Sequence, residues 1–550
     1  MASGPPGKLS SFEPSLWGDF FVSYEPQPLQ TTYDDYEHWS EPKSEEWMMA
    51  RADILKDKIH MLLQSCDGAL GKMFLVDSLQ HLGIDHHFKE EIDNMLSEIL
   101  GSEFSCSSLH EVALRFRLLR EQGHWVSPDV FNKFKCEGGV FNKDITYDTR
   151  GLLSLYNAAH LLIHGEPALE EAITFAKYHL ESRIASLEFP LAEQVRRALH
   201  LPLPRTYKRM ETIHYISEYK EEEYHNPVLL EFAKLDFNLL QHVHLKELKA
   251  ISGWWKELSR CIELTYVRDR VVENYLWSHV MFYEKDYELA RVIGAKINVL
   301  LTVMDDTFDA HATIEECRKL TEAVQRWDES DVSLLPDYLK KFFDELLANI
   351  KEFGSEMAKN NNYEIAYIKK QFQKQFIYYL QEVEWLHQNH KPSFEELVNL
   401  TSMTICVPTV CVCFLVGMGD AMPKETREWV AGFPDVVMAC AKLTRFMNDI
   451  ASFKRGRSKV DATNSVEWYI AEHGVTREVA VATIESLIED EWRSLNQARF
   501  GNRVLLPAVQ RVIRFAVSMP LYYGGGNDAF TFSKHLHKTI EALFVNPIPI

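Results

Sequence analysis

Apolar residues recur at helical spacing along most of this chain, and this periodicity restricts the fold more than any other feature. Between Val228 and Leu248 they fall three or four residues apart, as in a helix with one buried face. Asn226-Pro227 has the form of an N-cap followed by proline, and Ser393-Phe394-Glu395-Glu396 that of a capping box. We find no sustained strand alternation with Asn-Gly or Asp-Gly turns. The sequence therefore predicts an all-α fold.

The 550 residues are enough for two domains, each with a core of its own. Residues 1–45 carry several prolines and little periodicity, which predicts an extended N-terminal arm. The helical pattern pauses around Leu201-Pro202-Leu203-Pro204-Arg205 and again before Asn226-Pro227. We therefore expect an N-terminal helical domain over residues 46–220 and a C-terminal helical domain over residues 221–550.

The charge balance argues against several classes of partner. The chain has 59 basic and 80 acidic residues, a net charge of −21. A field of this sign repels nucleic acids and anionic lipid surfaces, so neither is an expected partner. An anionic substrate would have to be held by local positive groups or by metal ions.

The cysteines and the first residues indicate a compartment. Nine cysteines, with no Cys-x-x-Cys pair, are typical of free thiols in a reducing environment. The first 30 residues lack a basic region followed by an apolar stretch, contain no arginine and include Glu13 and Asp19. They resemble neither a secretory signal nor a transit peptide, which predicts a cytoplasmic protein.

The uncharged stretch from Leu400 to Gly419 could be mistaken for a membrane span. Pro408 interrupts it, and several threonines and a serine make its start polar. A span needs about 20 predominantly apolar residues. We expect a buried core helix and no membrane span.

The sharpest motif is Asp305-Asp306-Thr307-Phe308-Asp309, which follows the apolar run Ile297 to Met304. On a helix, Asp305 and Asp309 share one face, where they repel each other at the negative end of the helix dipole. A divalent cation removes both problems, and oxygen ligands suit magnesium. The alternative is a solvated acidic helix end, which is common in so acidic a chain.

Two further motifs strengthen the metal interpretation. Asn448 and Ser452 also stand at i and i+4, where an amide and a hydroxyl are weak but acceptable ligands, and Arg445 lies one turn earlier. Arg268-Asp269-Arg270 could clamp a phosphate group from two sides. Taken alone, the Asn448 motif would be an ordinary helix end. The Arg268-Asp269-Arg270 motif alone would be a surface ion-pair network with Glu263, Asp269 and Glu273.

Together, these residues resemble the plant class I terpene synthases. Asp305-Asp306-Thr307-Phe308-Asp309 looks like their DDxxD motif, Arg268-Asp269-Arg270 like RxR, and Asn448-Asp449-Ile450-Ala451-Ser452 like the start of (N/D)Dxx(S/T)xxxE. Phe12-Glu13-Pro14-Ser15-Leu16-Trp17-Gly18-Asp19 is similar to their FxPSxWGD segment. The resemblance spans the chain from about residue 12 onward. It implies a catalytic C-terminal domain with the class I terpene synthase (isoprenoid synthase) fold and a structural, α-barrel-like N-terminal domain.

The resemblance also implies roles for individual residues. Three Mg²⁺ ions, with Mn²⁺ as an alternative, would be held by Asp305, Asp306, Asp309, Asn448 and Ser452. The diphosphate of a prenyl substrate would contact Arg268, Arg270 and Arg445. A break in the long apolar helix, at Met403-Thr404-Ile405-Cys406, would bring Thr404 and Cys406 to the substrate. Trp277, Tyr523 and Phe530 are the aromatic candidates for stabilising a carbocation.

The sequence departs from the family pattern at one position, and its N-terminus indicates the substrate. Gly456 stands where the second motif has glutamate, so one ligand is missing. Trp17 lies near the start with no tandem arginine before it, which by analogy favours a cytosolic sesquiterpene synthase acting on farnesyl diphosphate. The resemblance also implies a monomer, which is the usual state in the family. Three alternatives stay open: a monoterpene synthase using geranyl diphosphate, a chain-elongating prenyltransferase, and a non-catalytic helical protein that binds prenyl diphosphates.

Overall fold

The computed structural model describes residues 13–26, 44–102, 108–222, 225–328, 332–333, 335–357, 363–419, 422–456 and 463–550. Within these ranges the chain forms helices joined by turns. An isolated antiparallel bridge between Lys135 and Phe141 is the nearest approach to a β-strand in the described part. The predicted all-α fold is confirmed.

The α-helices are, in chain order, α1 (Phe20–Ser23), α2 (Glu45–Ser65), α3 (Ala69–His81), α4 (Lys89–Gly101), α5 (Leu109–Glu121), α6 (Thr149–Ala159), α7 (Pro167–Arg183), α8 (Leu191–His200), α9 (Lys208–Tyr219), α10 (Pro227–Ile262), α11 (Val271–Met281), α12 (Glu288–Ala310), α13 (Ile314–Arg326), α14 (Asp337–Met357), α15 (Tyr363–His387), α16 (Phe394–Thr404), α17 (Val407–Val416), α18 (Lys424–Ala431), α19 (Asp435–Arg455), α20 (Ser465–His473), α21 (Arg477–Ala498), α22 (Leu506–Ala516), α23 (Met519–Tyr523) and α24 (His537–Ile540). Short 3₁₀ turns join several of them, including Asp85–His87 before α4 and Leu203–Arg205 before α9.

One compact unit comprises the described residues of Glu25–His244, Trp492–Gln510 and Thr539–Ile550. In this unit α6 packs against both α5 and α7, around an apolar core that includes Leu118, Leu155 and Ala172. The fully buried Arg120 guanidinium is bonded to Glu166 at 2.7 Å and 2.5 Å. A buried arginine needs such a partner, because an unpaired buried charge is strongly destabilising.

The other compact unit comprises the described residues of Met1–Tyr24, Leu245–Glu491 and Arg511–Lys538. Helix α12 packs against α11, α15 and α17 in this unit, and most of its side chains from Ala290 to Phe308 are buried. A helix that is apolar around most of its circumference is stable only inside a core. Gly294 lets α12 approach α17 closely, since a Cβ at this position would lie 2.6 Å from the Phe414 ring.

The division into units differs from the predicted domains. We expected a boundary after residue 220, whereas the structural boundary follows His244, and two later segments return to the first unit. The reason is that α10 continues unbroken from Pro227 to Ile262. Its first turns bury Leu229 and Phe232 in the core of the first unit, so no chain break marks the boundary.

The predicted local signals have mixed outcomes. Asn226 Oδ1 accepts the Val228 N–H at 2.9 Å, and Ser393 with Glu396 forms the expected capping box. The predicted arm over residues 1–45 lies mostly outside the described residues, and its described part is not wholly extended, because α1 falls within it. The eight described cysteines are free thiols, and Cys106 lies outside the described residues.

The apolar stretch Phe394–Val416 meets the length and hydropathy of a membrane span, but 83% of its most apolar window is buried inside the protein. It consists of α16 and α17, separated by a break at residues 405–406. The expectation of a buried core helix with an interruption is therefore confirmed. The burial means that this stretch is no evidence for a membrane span.

The close contact at Gly294 leads to a prediction about stability. We expect Gly294→Ala to destabilise the protein by about 1–3 kcal/mol, because the buried Phe414 ring must shift to accept the methyl group. Gly253→Ala is the matched control, since Gly253 is also inside a helix but a Cβ there meets nothing within 4 Å. That control should be neutral or stabilising by up to about 1 kcal/mol. Equal denaturant midpoints for the two variants would contradict the packing argument.

Candidate active site

The C-terminal end of α12 presents the three predicted aspartates. Asp306 is 2% exposed, Asp305 is partly buried and Asp309 is exposed. The Asp305 carboxylate accepts hydrogen bonds from Arg268 Nη2 at 2.5 Å and from the Tyr379 hydroxyl at 2.6 Å. Asp305 and Asp309, the predicted pair, are four residues apart on α12 and therefore lie on one face of that helix.

These carboxylates are held in an unfavourable electrostatic state. Burial, opposed by Arg268 and reinforced by Asp305, raises the pKa of Asp306 to about 6. Partial removal of bulk water raises the pKa of Asp309 as well, together with repulsion from Asp305 and Glu382. Raised pKa values mean that the ionised cluster lacks positive charge, and bound cations would supply it.

Arg268 supplies part of this charge from the segment between α10 and α11. Its backbone N–H donates to Asp306 Oδ2 at 2.7 Å, and its Nε lies 2.9 Å from Asp306 Oδ1. The guanidinium also lies over the Phe530 ring, 5.1 Å from its centre. Arg268 therefore occupies the position where the sequence predicted an anion-binding group, and it pairs there with the aspartates.

Arg270 is placed differently from the prediction. Its side chain is almost fully buried, and the guanidinium donates to four backbone carbonyls. They belong to Phe530 at 2.8 Å, Asp269 at 2.6 Å, Glu13 at 3.0 Å and Thr531 at 2.7 Å. Since four donors are already engaged, the geometry assigns Arg270 to holding chain segments together, and the predicted diphosphate contact would require breaking these bonds.

Helix α19 carries the second predicted motif. Asn448 is half-buried and in hydrogen-bond contact with Tyr523, and Ser452 is 5% exposed. Ser452 Oγ has no hydrogen-bond partner among the described residues. A buried hydroxyl without a partner is costly, so Ser452 is a position where a ligand is expected. The Asp449 carboxylate is engaged with the start of α20, where its Oδ2 accepts the Ser465 N–H at 2.8 Å.

Electrostatic contacts place the two motifs in one site. Burial alone would lower the pKa of Arg445, but attraction from Asp449, Glu382 and Asp309 raises it. Arg445 bonds Asp449 Oδ1 at 2.7 Å, one turn along α19. The arginine of the second motif thus lies within the field of the aspartates of the first.

Two residues of α15, Tyr379 and Glu382, also belong to the site and were not predicted from the sequence. Tyr379 bonds Asp305, and its hydroxyl lies 3.3 Å from Cys406 Sγ. Glu382 lies near both Asp309 and Arg445 and accepts the Thr463 hydroxyl at 2.7 Å. Their i and i+3 spacing indicates a shared helix face. That signal was hidden among the many acidic and aromatic residues of the chain.

An aromatic wall stands beside Arg268, made of Trp277, Tyr522 and Phe530. The ring centre of Trp277 lies 4.4 Å from that of Tyr522 and 4.6 Å from that of Phe530. Tyr523 is not part of this wall, since its side chain is buried toward Asn448. Two of the three predicted aromatic residues are thus brought together, and Tyr522 was missed.

The predicted helix break is present between α16 and α17. Cys406 adopts a left-handed backbone conformation with φ of 65°, which is strained for a residue with a side chain. Thr404 is buried at the last turn of α16, and its hydroxyl lies 3.4 Å from the Thr401 carbonyl oxygen. Through its contact with Tyr379, Cys406 connects this break to the aspartates.

At the position of the missing ligand of the second motif, the chain leaves helix α19. Helix α19 ends at Arg455, and Gly456 has φ of 94°, a conformation that favours glycine. Arg455 turns to Asp528, bonding its Oδ2 at 2.8 Å. The position of the family's glutamate is therefore off the helix face that carries Asn448 and Ser452.

The donors of this site fit a hard divalent cation. Asp305, Asp306 and Asp309 offer carboxylate oxygens, Asn448 an amide oxygen and Ser452 a hydroxyl that nothing else described engages. Oxygen-only donors suit Mg²⁺ and Mn²⁺ better than zinc or copper. No cysteine or histidine is needed to complete the set.

Comparisons with known proteins identify the family. The model "Terpene synthase family, metal binding domain" matches residues 256–494, and "Terpene synthase, N-terminal domain" matches residues 16–199. Tau-cadinol synthase from Zea mays is 49% identical, over 98% of both chains. Alpha-copaene synthase from Zea mays is also 49% identical, over 98% of this chain and 99% of that protein.

A solved structure has the same fold. Isoprene synthase from grey poplar, in complex with three Mg²⁺ ions and dimethylallyl-S-thiolodiphosphate, superposes with a TM-score of 0.83 at 29% identity. The match covers 92% of this chain and 98% of that one. With two family models along most of its length and relatives that match nearly all of it, this chain belongs to the terpene synthase family.

Proposed function

We propose that the protein is a sesquiterpene synthase, which ionises farnesyl diphosphate with Mg²⁺ and cyclises the resulting carbocation to a C15 hydrocarbon or alcohol, releasing diphosphate. The observation that carries this proposal is the meeting of two oxygen-donor sets, on α12 and α19, with Arg268, Arg445 and an aromatic wall. The two maize relatives, named for tau-cadinol and alpha-copaene, support the C15 substrate class. The isoprene synthase complex supports a requirement for divalent metal.

In this proposal, binding of the diphosphate rearranges charges that are already paired. Arg268 would exchange its carboxylate partners for phosphate oxygens, and Arg445 would donate to the same group from α19. Mg²⁺ held by the aspartates, Asn448 and Ser452 would draw electron density from the diphosphate and stabilise it as a leaving group. The arginines hold the diphosphate as it leaves, and the carbocation that forms in this step lies beside the aromatic wall.

The residues around the carbocation have to be electron-rich without being nucleophilic. The faces of Trp277 and Phe530 offer negative quadrupole potential and no lone pair that forms a bond. Cys406, at the helix break, carries a thiol that could trap the cation if it were ionised. Burial, with a contribution from Asp305, raises the pKa of its thiol, and a protonated thiol is a poor nucleophile.

We also propose that the enzyme is cytoplasmic and monomeric. The free thiols among the described cysteines, several of them buried, support a reducing compartment. Size-exclusion chromatography with light scattering, and imaging of a C-terminally tagged protein in plant cells, test the two statements. A plastid signal or a dimer would overturn the corresponding one.

The first test of the function is a product assay. Purified protein with farnesyl diphosphate and Mg²⁺ should give a C15 product by gas chromatography–mass spectrometry, and EDTA should abolish it. Asp305→Ala should lower kcat/KM by at least about 100-fold, since it removes a metal ligand. Asp337→Asn, at a side chain that is 97% exposed, is the control and should be fully active. A product from geranyl diphosphate but not from farnesyl diphosphate would favour the monoterpene synthase alternative. The absence of product from any prenyl diphosphate would favour the non-catalytic binding protein.

The different placements of the two arginines lead to a second prediction. Arg268→Ala should lower kcat/KM by about 100-fold and leave the N-terminal segment protected. Arg270→Ala should instead release the carbonyls of Glu13 and Thr531, so that chymotrypsin cleaves at Phe20 or Tyr24 faster than in the parent. Mass spectrometry of timed digests measures this difference. Equal protection in the two variants, with equal losses of activity, would show that both arginines act on the substrate.

A third prediction concerns the missing ligand. Gly456→Ala and Gly456→Glu should both lower the stability by about 1 kcal/mol, because each places a side chain on a left-handed backbone. We expect Gly456→Glu to bind Mg²⁺ no more tightly than Gly456→Ala, as judged by Mg²⁺-dependent shifts in Tm. The alanine variant isolates the strain from the effect of the carboxylate. A larger Mg²⁺ shift and a higher kcat in Gly456→Glu would mean that the carboxylate reaches the metal after all.

A further inference from the structure

Two adjacent histidines and a buried aspartate converge in the first compact unit, outside the residues assigned to catalysis. His86 and His87 belong to the 3₁₀ turn Asp85–His87, and Asp236 lies on α10. Nε2 of His87 is 2.8 Å from Asp236 Oδ1, and Nε2 of His86 is 3.6 Å from the same oxygen. The candidate ligand atoms of the three residues all lie within 4.8 Å of one another.

Hydrogen bonds to the outer atoms of His86 and Asp236 fix the orientation of both side chains. His86 Nδ1 lies 3.1 Å from the Gly83 carbonyl oxygen, which can only accept, so Nδ1 carries a proton. Arg209 Nη1 lies 3.2 Å from the other aspartate oxygen, Oδ2. Metal-binding histidines and carboxylates typically have such outer hydrogen bonds, which fix the orientation of the ring and of the carboxylate.

The inner atoms of the cluster face one point. Nε2 of both histidines lies toward the same oxygen of the Asp236 carboxylate, so two imidazole nitrogens and one anionic oxygen lie within reach of a single cation. The Asp236 side chain is 5% exposed and that of His86 8%, so the arrangement is largely shielded from water.

We propose that His86, His87 and Asp236 form a Zn²⁺ site, with two imidazole nitrogens, one carboxylate oxygen and a fourth position for water. Ligand atoms of tetrahedral zinc lie about 3.3 Å apart, so the observed separations need shifts of roughly 1 Å. Two histidines and one carboxylate are a known zinc donor set. Imidazole suits zinc far better than magnesium, so the Mg²⁺ of the catalytic site would not compete.

The site has an entry path and a structural consequence. The His87 side chain is 26% exposed, and exchange of the ion with solvent can occur on this side. A bound ion would tie the turn before α4 to α10 at Asp236. It would therefore stabilise the folded state of this unit without taking part in the reaction.

The test uses full-length protein in which Asp305→Asn and Asp309→Asn remove the catalytic aspartates, so that failure of the proposed function cannot affect the result. After dialysis against chelator, titration with Zn²⁺ in excess Mg²⁺ should show one ion per chain and an upward shift in Tm. Co²⁺ should give the intense visible bands of a tetrahedral ion. It should give no thiolate charge-transfer band, which excludes the exposed thiols of Cys136 and Cys261 as ligands.

The matched variants are His87→Gln, at the most exposed of the three residues, and His200→Gln, at an exposed histidine on α8. His87→Gln should lose the Zn²⁺ stoichiometry and the upward Tm shift that Zn²⁺ causes, while its circular dichroism stays at the parent value. His200→Gln should behave as the parent. Absence of Zn²⁺ binding in the parent, or unchanged binding in His87→Gln, would overturn the proposal and leave the cluster as a hydrogen-bonded imidazole–carboxylate network.

Discussion

The site depends on one electrostatic constraint, the placement of three carboxylates at the C-terminal end of a buried helix. Helix α12 is apolar along most of its length, so its burial positions Asp305, Asp306 and Asp309 where their charges repel each other and oppose the helix dipole. Arg268 and the Tyr379 hydroxyl reduce that cost. The same need for positive charge is what makes this end of the helix a site for cations and for an anionic substrate.

The surrounding helices answer this constraint from different directions. Arg445 on α19 and Glu382 on α15 interact electrostatically with Asp309, and Cys406 at the break between α16 and α17 contacts Tyr379. None of these groups is adjacent in sequence. The packing of α12 against α15 and α17 brings them together, and this is why the close contact at Gly294 bears on the site as well as on the core.

Much of the fold and part of the site could be predicted from the sequence. Helical spacing, the Asn226 cap and the capping box at Ser393 are local signals, and local signals survive in the structure. The carboxylates of α12 and the amide and hydroxyl of α19 could be found because i and i+4 spacing fixes their common face. Tyr379 and Glu382 could not, because nothing local distinguishes them from other residues of an acidic, aromatic-rich chain.

The domain boundary and the role of Arg270 depend on tertiary structure. A boundary inside one continuous helix leaves no trace in composition, so the sequence offered only the pauses at residues 201–205 and before Asn226-Pro227, both of which precede the boundary. A motif with two arginines suggests two equivalent phosphate ligands. Whether a guanidinium meets phosphate or main-chain oxygen depends on segments more than 250 residues away along the chain, such as Phe530 and Glu13.

The main-chain bonding of Arg270 has a consequence for how such an enzyme can diversify. Among the described residues, every hydrogen-bond partner of its guanidinium is a carbonyl oxygen, which is present whatever side chain a residue carries. Positions 13, 269, 530 and 531 can therefore be substituted while the frame they form is retained. Phe530 belongs both to that frame, through its carbonyl, and to the aromatic wall, through its ring. Its ring can be replaced by another side chain while its carbonyl still accepts the hydrogen bond from Arg270. The aromatic wall, and with it the product, can therefore change in evolution while the backbone around Arg270 is retained.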